Sequence, residues 1–324
     1  MAADVLCFGD LLIDFVPTVT GKGLADAPAF VKAPGGAAAN VAVGLVRLGA
    51  SSAFMGKVGD DPFGHFLAAT LAGEGVDVSA LRFEKRARTA LAFVSLRADG
   101  EREFLFYRHP SADMLFTPEE VDPGVIAAAR IFHFDSISLA AEGPRATALH
   151  AAGLAAAGGR LISYDVNLRL PLWPEAAAAA AGIRTGFERA QIVKLSDDEL
   201  DFLTGRRDPA AVREELWHPG LKLAVLTMGG QGCILMTPRG ERHVPSISVT
   251  PVDTTGAGDG FVAGLLAGLL AHDRFPDEAA LAEICRFANA VGAITTTERG
   301  AIPSLPTRAA VEARLAGAPV GGGG

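Results

Sequence analysis

The chain has 324 residues, 49% of them hydrophobic, enough for one large domain or two modest ones around a substantial core. Its formal net charge is −8, so no basic field is available for a nucleic-acid backbone or an anionic membrane surface, although one phosphorylated small molecule could still occupy a local site. Cys7, Cys233 and Cys285 are far apart and no C-x-x-C or Cys/His cluster occurs, so neither a zinc site nor a disulfide framework is signalled and a reducing cytosol is the simpler setting.

The N-terminus "MAADVLCFGD" lacks a basic segment followed by a long apolar run, and apolar runs elsewhere are broken by Gly, Pro or charge within helix length, which points to a soluble, unexported protein. A short apolar run at 5–9 precedes a strand-like stretch at 12–17, then a helix from Ala38 to Leu48 leads into "SSAFMGKVG", giving a β, α, β order. Asp14 is a carboxylate in an otherwise apolar strand, either exposed at a lid edge or holding sugar hydroxyls. In "PGGAAANVAVGLVRLGA" (34–50), Gly35 and Gly36 let a substrate approach the backbone, and Asn40 offers a donor and an acceptor one turn into the helix; the other reading is a tight turn before a packed helix.

Two alternating runs, 88–96 and 101–108, flank the Gly-containing "ADG" (98–100) and read as a β-hairpin closed by Arg108. A regular succession follows: strand 130–134, an Ala-rich helix around 143–157, strand 160–166, a helix around 174–188, strand 191–195, helices around 197–217, and strand 221–229. Arg169 comes directly after the second of these strands. Each arginine is either a surface charge or a side chain delivered to a cleft. His109 and His133 lack metal-ligand spacing and default to structural or solvated histidines.

The last third adds a strand pair at 232–244, the 256–271 segment and two helices near 277–295 and 307–316, before a tail "APVGGGG" with nothing to bury. Alternating strands and helices predict one α/β domain whose mostly parallel sheet has helices on both faces. A small β lid from about 12–34 and 88–115 would close over a ligand at the carboxyl ends of the strands.

"DTTGAGDGF" (253–261) opens the 256–271 helix. Without Cβ atoms at Gly256 and Gly258, backbone N–H groups can converge on an anion at the positive end of the helix dipole. Asp259 beside that cradle is placed to take a proton from a hydroxyl, or it simply caps the helix. The sequence has no G-x-x-x-x-G-K-[ST], protein-kinase H-R-D with D-F-G, G-x-S-x-G, H-E-x-x-H, or G-x-G-x-x-G after its first strand, so a phosphoryl transfer would need a different cradle.

"GGAAANVAVGLVRLGA" with "GKVGDDPFG", followed about 190 residues later by "DTTGAGDGF", resembles the two signatures of the ribokinase-like (PfkB) sugar kinases, and the likeness runs from "VLCFGDLLIDF" to "RGAIPSLP". It implies a three-layer α/β/α sandwich with a small β-sheet lid, one kinase domain over 1–318 and a flexible tail at 319–324. "FVKAPGGAAAN", "RTALAFVSL", "EREFLFYRHPSADMLFTPEE", "SYDVNLRLPLWP" and "KLSDDELDFLTG" are most similar to the fructokinase branch of plant and bacterial type. That branch implies Mg²⁺-assisted transfer of the ATP γ-phosphoryl group to the 6-hydroxyl of D-fructose; the cysteine usage and the lack of an export signal make a cytoplasmic location the expectation.

By position, the resemblance makes Asp259 the base and the backbone of Gly256, Ala257 and Gly258 the anion hole. Asp14, Gly35, Gly36 and Asn40 match sugar-holding positions, with Arg108 and Arg169 nearby. Lys194, Glu199, Thr227, Gly229, Gly232 and Asn289 match the ATP site, Glu199 being tied to Mg²⁺ through water. Asp253, Thr255, Thr295, Gly300 and Ser304 would hold a monovalent cation such as K⁺.

Three departures stand out. Ser196 occupies the Asn position of the ribokinase Asn-x-x-Glu, G-G-A-A-A-N replaces G-G-K-G-A-N and argues against ribose, and Gly260 replaces the commoner Ala after the base. A 2-keto-3-deoxygluconate kinase is the nearest rival, since its acid substrate would give Arg108 and Arg169 a carboxylate to pair. A catalytically silent binding subunit is the alternative of a different class. A homodimer through the lid is expected, because an apolar lid face and sheet edges need covering.

Overall fold

The computed structural model describes residues 3–19, 21–96, 102–108 and 110–317; the 98–100 turn, His109 and the 319–324 tail lie outside the described residues. The apolar runs form strands β1 (Val5–Phe8), β2 (Leu12–Pro17), β3 (Phe30–Gly35), β4 (Ser52–Gly59), β5 (Leu81–Glu84), β6 (Leu91–Leu96), β7 (Arg102–Tyr107), β8 (Ile131–Asp135), β9 (Leu161–Asp165), β10 (Ile192–Ser196), β11 (Leu223–Thr227), β12 (Cys233–Thr237) and β13 (Gly240–Val244). Nine of them make one sheet in the order β13-β12-β11-β10-β9-β8-β1-β4-β5. From β5 to β11 every pairing is parallel; β12 alone runs against the rest, pairing antiparallel with both β11 and β13.

The continuous apolar character of the central strands follows from burial on both faces. In β1, Val5 and Cys7 point into one core, with the helices Ala37–Arg47, Ala257–Leu270 and Glu278–Thr295, while Leu6 and Phe8 point into the other, with Glu142–Ala157, Ala176–Phe187 and Asp197–Thr204. This is the expected α/β arrangement with helices on both faces.

The other four strands form a separate sheet, β3-β2-β6-β7. β2 is antiparallel to β3, β6 is antiparallel to β7, and β2 joins β6 in parallel, Ile13 opposite Leu91. One face of this sheet carries Phe15, Phe30, Phe93, Leu105 and Tyr107, with Phe15 stacked on Phe93 at 4.9 Å between ring centroids. Asp14 is on the opposite face, between Ala33 and Ala92. The chain crosses between the two sheets after β1, β3, β5 and β7, and the site is assembled around these crossings.

Candidate active site

Gly256 stands before the helix Ala257–Leu270 in a left-handed conformation, φ 79°. A Cβ there would lie 2.8 Å from the Cβ of Ala301, so both backbone and space call for glycine. No side chain caps this helix. Asp259 is not its cap: it is the third helical residue, 8% exposed, and its Oδ2 accepts a 2.7 Å hydrogen bond from Asn40 Nδ2. Burial raises the Asp259 pKa above the usual carboxylate range, partly opposed by the Asn40 hydrogen bond and by the charges of Arg169 and Lys194.

Asn40 reaches Asp259 because its helix begins at Gly36, φ 118°, where a Cβ would meet the carbonyl oxygen of Asp10 at 2.3 Å. At Gly35 a Cβ would lie 2.1 Å from Asp14 Oδ2, which places the Asp14 carboxylate over the bare backbone. Asp14, Gly35, Gly36, Asn40 and Asp259 therefore meet in one place. Burial pushes the Asp14 pKa to about 7, aided by the charge of Asp10 and opposed by Arg169.

The carboxyl ends of the parallel strands supply a second group. Asp135 ends β8 opposite Asp165, which ends β9 opposite Lys194 of β10. Lys194 Nζ lies 3.0 Å from Asp165 Oδ1 and 3.8 Å from Glu199 Oε2. A Cβ on Gly258 would be 3.4 Å from that ammonium, so Lys194 faces the glycine mouth. Glu199 accepts from the amides of Ser196, at 2.7 Å, and Leu168, at 2.9 Å, while Ser196 Oγ accepts from Glu199 N at 3.2 Å. Ser196 in the expected Asn position thus closes a capping box with Glu199. Lys194 and these amides hold the Glu199 pKa down against burial.

Asn167 is the only non-glycine with positive φ, 35°, among the described residues. Its Nδ2 donates to Asp135 Oδ2 at 3.2 Å and its amide donates to Asp165 Oδ1 at 3.3 Å, so the strained turn links two strand ends. Asp10, Asp113, Asp135, Asp165 and Asn167 are site residues that the sequence reading missed. An acid closing an apolar run, as in "FHFD" and "SYD", is the signal that could have found two of them.

The arginines divide between the two readings. Arg108 is buried, 7% exposed, and forms an ion pair with Asp113. Arg169 is exposed and its Nη1 donates to the Leu168 carbonyl at 2.9 Å, yet its charge acts on Asp14, Asp259 and Glu199.

Farther along the sheet, Thr227 ends β11 and its Oγ1 donates to Leu195 O at 3.3 Å. Gly229 and Gly232 take φ of 52° and 93° in the turn before β12. Asn289 is buried and its Nδ2 donates to Val244 O at 2.9 Å, fastening the end of β13 to a helix. Asp253 Oδ1 accepts from Thr255 N at 3.0 Å and Thr255 Oγ1 at 2.7 Å, and its Oδ2 accepts from Gly300 N at 3.0 Å. Ser304 Oγ donates to Gly300 O at 2.5 Å. Asp253, Thr255, Gly300 and Ser304 thus form one hydrogen-bonded loop pair, while the Thr295 hydroxyl turns back to Val291 O at 2.9 Å.

Thr295 also explains Gly260. A Cβ on Gly260 would lie 2.7 Å from Thr295 Oγ1, so the glycine makes room for a packed threonine. Gly260→Ala should therefore destabilise the protein by about 1–3 kcal/mol through overpacking, and adding Thr295→Ala should restore most of it. Thermal melts of the single and double variants check this; equal losses in both would remove the steric explanation.

The chain and its fold resemble those of known proteins. The pfkB family carbohydrate kinase pattern matches residues 2–308. Probable fructokinase-7 of Arabidopsis thaliana is 56% identical over 312 residues, covering 95% of this chain and 91% of that protein. A crystal structure of fructokinase with bound ATP from Xylella fastidiosa superposes with a TM-score of 0.90 at 35% identity, covering 98% of this chain and 99% of the other. A fructokinase double mutant from Vibrio cholerae O395, in a form with fructose, ADP and potassium ion bound, gives 0.85 at 34% identity, covering 96% and 98%.

Proposed function

The chain belongs to the pfkB family of carbohydrate kinases, and we propose that it transfers the γ-phosphoryl group of ATP to the 6-hydroxyl of D-fructose, giving D-fructose 6-phosphate and ADP. The observation that carries the proposal is Asp259, buried at a glycine helix mouth, held by Asn40 and faced by Lys194. The substrate assignment draws on relatives named fructokinase.

In this reading the sugar lies between the two sheets, against Asp14, Gly35, Gly36 and Asn40, with Arg108 and Arg169 beside it. Asn40 donates to one oxygen of Asp259, which orients the other toward the reacting hydroxyl. As the hydroxyl oxygen attacks the γ-phosphorus, Asp259 takes its proton, and the bond from that phosphorus to the leaving ADP oxygen breaks. The amides of Gly256, Ala257 and Gly258 and the Lys194 ammonium stabilise charge on the transferred group.

Lys194, Glu199, Thr227, Gly229, Gly232 and Asn289 line the nucleotide side. Both Glu199 oxygens already accept backbone amides, which suits an indirect, water-mediated hold on a metal ion. Mg²⁺, when bound, supplies positive charge to the phosphates. The loops tied by Asp253, with Thr255, Gly300 and Ser304, offer oxygen donors suited to K⁺; Thr295 could contribute its carbonyl, since its hydroxyl is engaged.

Residues 1–318 would act as one kinase domain, the small sheet serving as its lid. Leu105 and Tyr107, 47% and 58% exposed on the aromatic face of that sheet, support a homodimer that covers it. Among the described residues no helix is long and apolar enough to cross a membrane, and all three cysteines are free and buried; the thiols support a cytoplasmic enzyme.

Purified protein assayed with ATP and Mg²⁺ against fructose, ribose and 2-keto-3-deoxygluconate should give the highest kcat/KM with fructose. A preference for the acid sugar would overturn the proposal. Arg108 already has Asp113 as its partner, which weighs against a substrate carboxylate in that position.

A further inference from the structure

Asp10 lies in the crossing between β1 and β2, and Arg108 in the crossing after β7. Both line one small cavity with room for about a single water-sized oxygen, together with Lys57, Asp113, Phe8 and Phe116. Most polar groups on its wall already have partners. Lys57 Nζ donates to Glu84 at 3.1 Å, Glu120 at 2.8 Å and Leu115 O at 3.0 Å. The Asp113 carboxylate accepts from Arg108 Nη2 and Ser111 Oγ. Ser138 Oγ donates to Asp135 at 3.5 Å.

Two side-chain atoms of the lining residues are without a partner: Asp10 Oδ1 and Arg108 Nε, on residues 5% and 7% exposed. A buried polar atom left unpaired is costly, and these two are complementary, one accepting and one donating. A hydroxyl satisfies both at once, giving its hydrogen to Asp10 and accepting from the Arg108 N–H. A carboxylate or phosphate oxygen could only accept and would face the Asp10 charge; an ammonium could only donate and would face Arg108.

A fixed water and a sugar hydroxyl share this chemistry. The cavity's place favours the sugar, because the Asp10 carbonyl abuts Gly36, at the start of the helix whose Asn40 holds Asp259. We infer that Asp10 and Arg108 form a receptor for one non-reacting hydroxyl of the substrate, which makes Asp10 a specificity-determining residue selecting a neutral polyhydroxy sugar over an acid one. The inference deepens the fructose kinase reading and rests on it for the identity of the sugar.

The test uses the full-length enzyme and a panel of monodeoxy analogues of the sugar it phosphorylates, each retaining the reacting hydroxyl. Wild-type kcat/KM should fall at least about tenfold for one analogue, since losing that hydroxyl leaves two buried groups unpaired. Asp10→Asn should shrink that particular ratio to within about threefold while leaving the ratios for the other analogues in place. A structural role alone would lower all rates or the Tm together and preserve the ratios. Asp10→Ser serves as a second variant, and the wild-type panel needs no variant at all.

A flat wild-type panel means that a water fills the cavity and overturns the inference. So does an undiminished ratio in a folded Asp10 variant. Absence of fructose turnover by the wild type defeats the fructose reading instead, and leaves the panel to be run on whichever sugar is accepted.

Discussion

Asp259→Asn is expected to lower kcat by about 10²- to 10⁴-fold, the usual worth of a positioned general base, without loss of the fold. The side chain keeps its size, and its amide oxygen can accept the bond that Asn40 now donates to Oδ2. Removing the charge also relieves repulsion, since the Asp259 carboxylate acts unfavourably on Asp10, Asp14, Asp135 and Asp165. The variant's Tm should consequently match or exceed the wild-type value while ADP release in a coupled assay collapses. A group needed only for folding would move both together. Undiminished turnover would falsify the role of Asp259 as base.

The same carboxylate should set a pH limit. As the proposed base, Asp259 must be ionised to take a proton, and burial raises its pKa, so kcat/KM should decline on acidification above the ordinary aspartate value of about 3.9. In Asp259→Asn this acid limb should vanish from the residual rate.

Lys194→Met is expected to be the most damaging single change to stability, on the order of 3–5 kcal/mol, because it leaves Asp165 and Glu199 buried without their countercharge. The Lys194 pKa is raised in the folded protein, chiefly by Asp165 and Glu199 against burial, so its stabilisation is complete below its unfolded value of about 10.5 and is lost only as pH rises through the folded one. The Glu199 pKa is depressed, so its share is complete above an unfolded value of about 4.3 and is lost as pH falls through the folded one. Both shares are therefore intact at neutral pH. In the variant, acid can protonate the stranded carboxylates, which makes the difference in melting temperature largest near pH 8 and smaller near pH 5. A melting curve within about 2 °C of wild type at pH 8 would show that the triad contributes little.

The large sheet was legible because its central strands are short apolar runs punctuated by Gly, Asp and helix-forming stretches, as at 130–134, 160–166 and 191–195, now β8, β9 and β10. Helix starts such as Ala37 and Ala257 were legible from the glycines before them. β3 and β5 went unread: "FVKAPG" carries a lysine and a proline and is partly exposed, and "LRFE" is a four-residue edge strand, so neither has a clean alternation to detect. The partnership of Asn40 with Asp259 spans 219 positions and only tertiary packing creates it. The pairing of Arg108 with Asp113 was hidden differently: the two are neighbours in sequence, but only the burial of that corner turns a plausible surface charge into an internal ion pair.

The parallel joint between β2 and β6 has a consequence for how the protein is made. Between these strands come β3, a helix, β4, another helix and β5, so although each hairpin of the small sheet forms from neighbours in sequence, the two cannot join until a long loop of chain is organised. On a ribosome, β2 and β3 emerge as an isolated hairpin with Phe15 and Phe30 uncovered, until β6 brings Phe93 to them. The strands proposed to hold the sugar thus stay open until β6 arrives, and during that interval the aromatic face of the hairpin is exposed to misassociation.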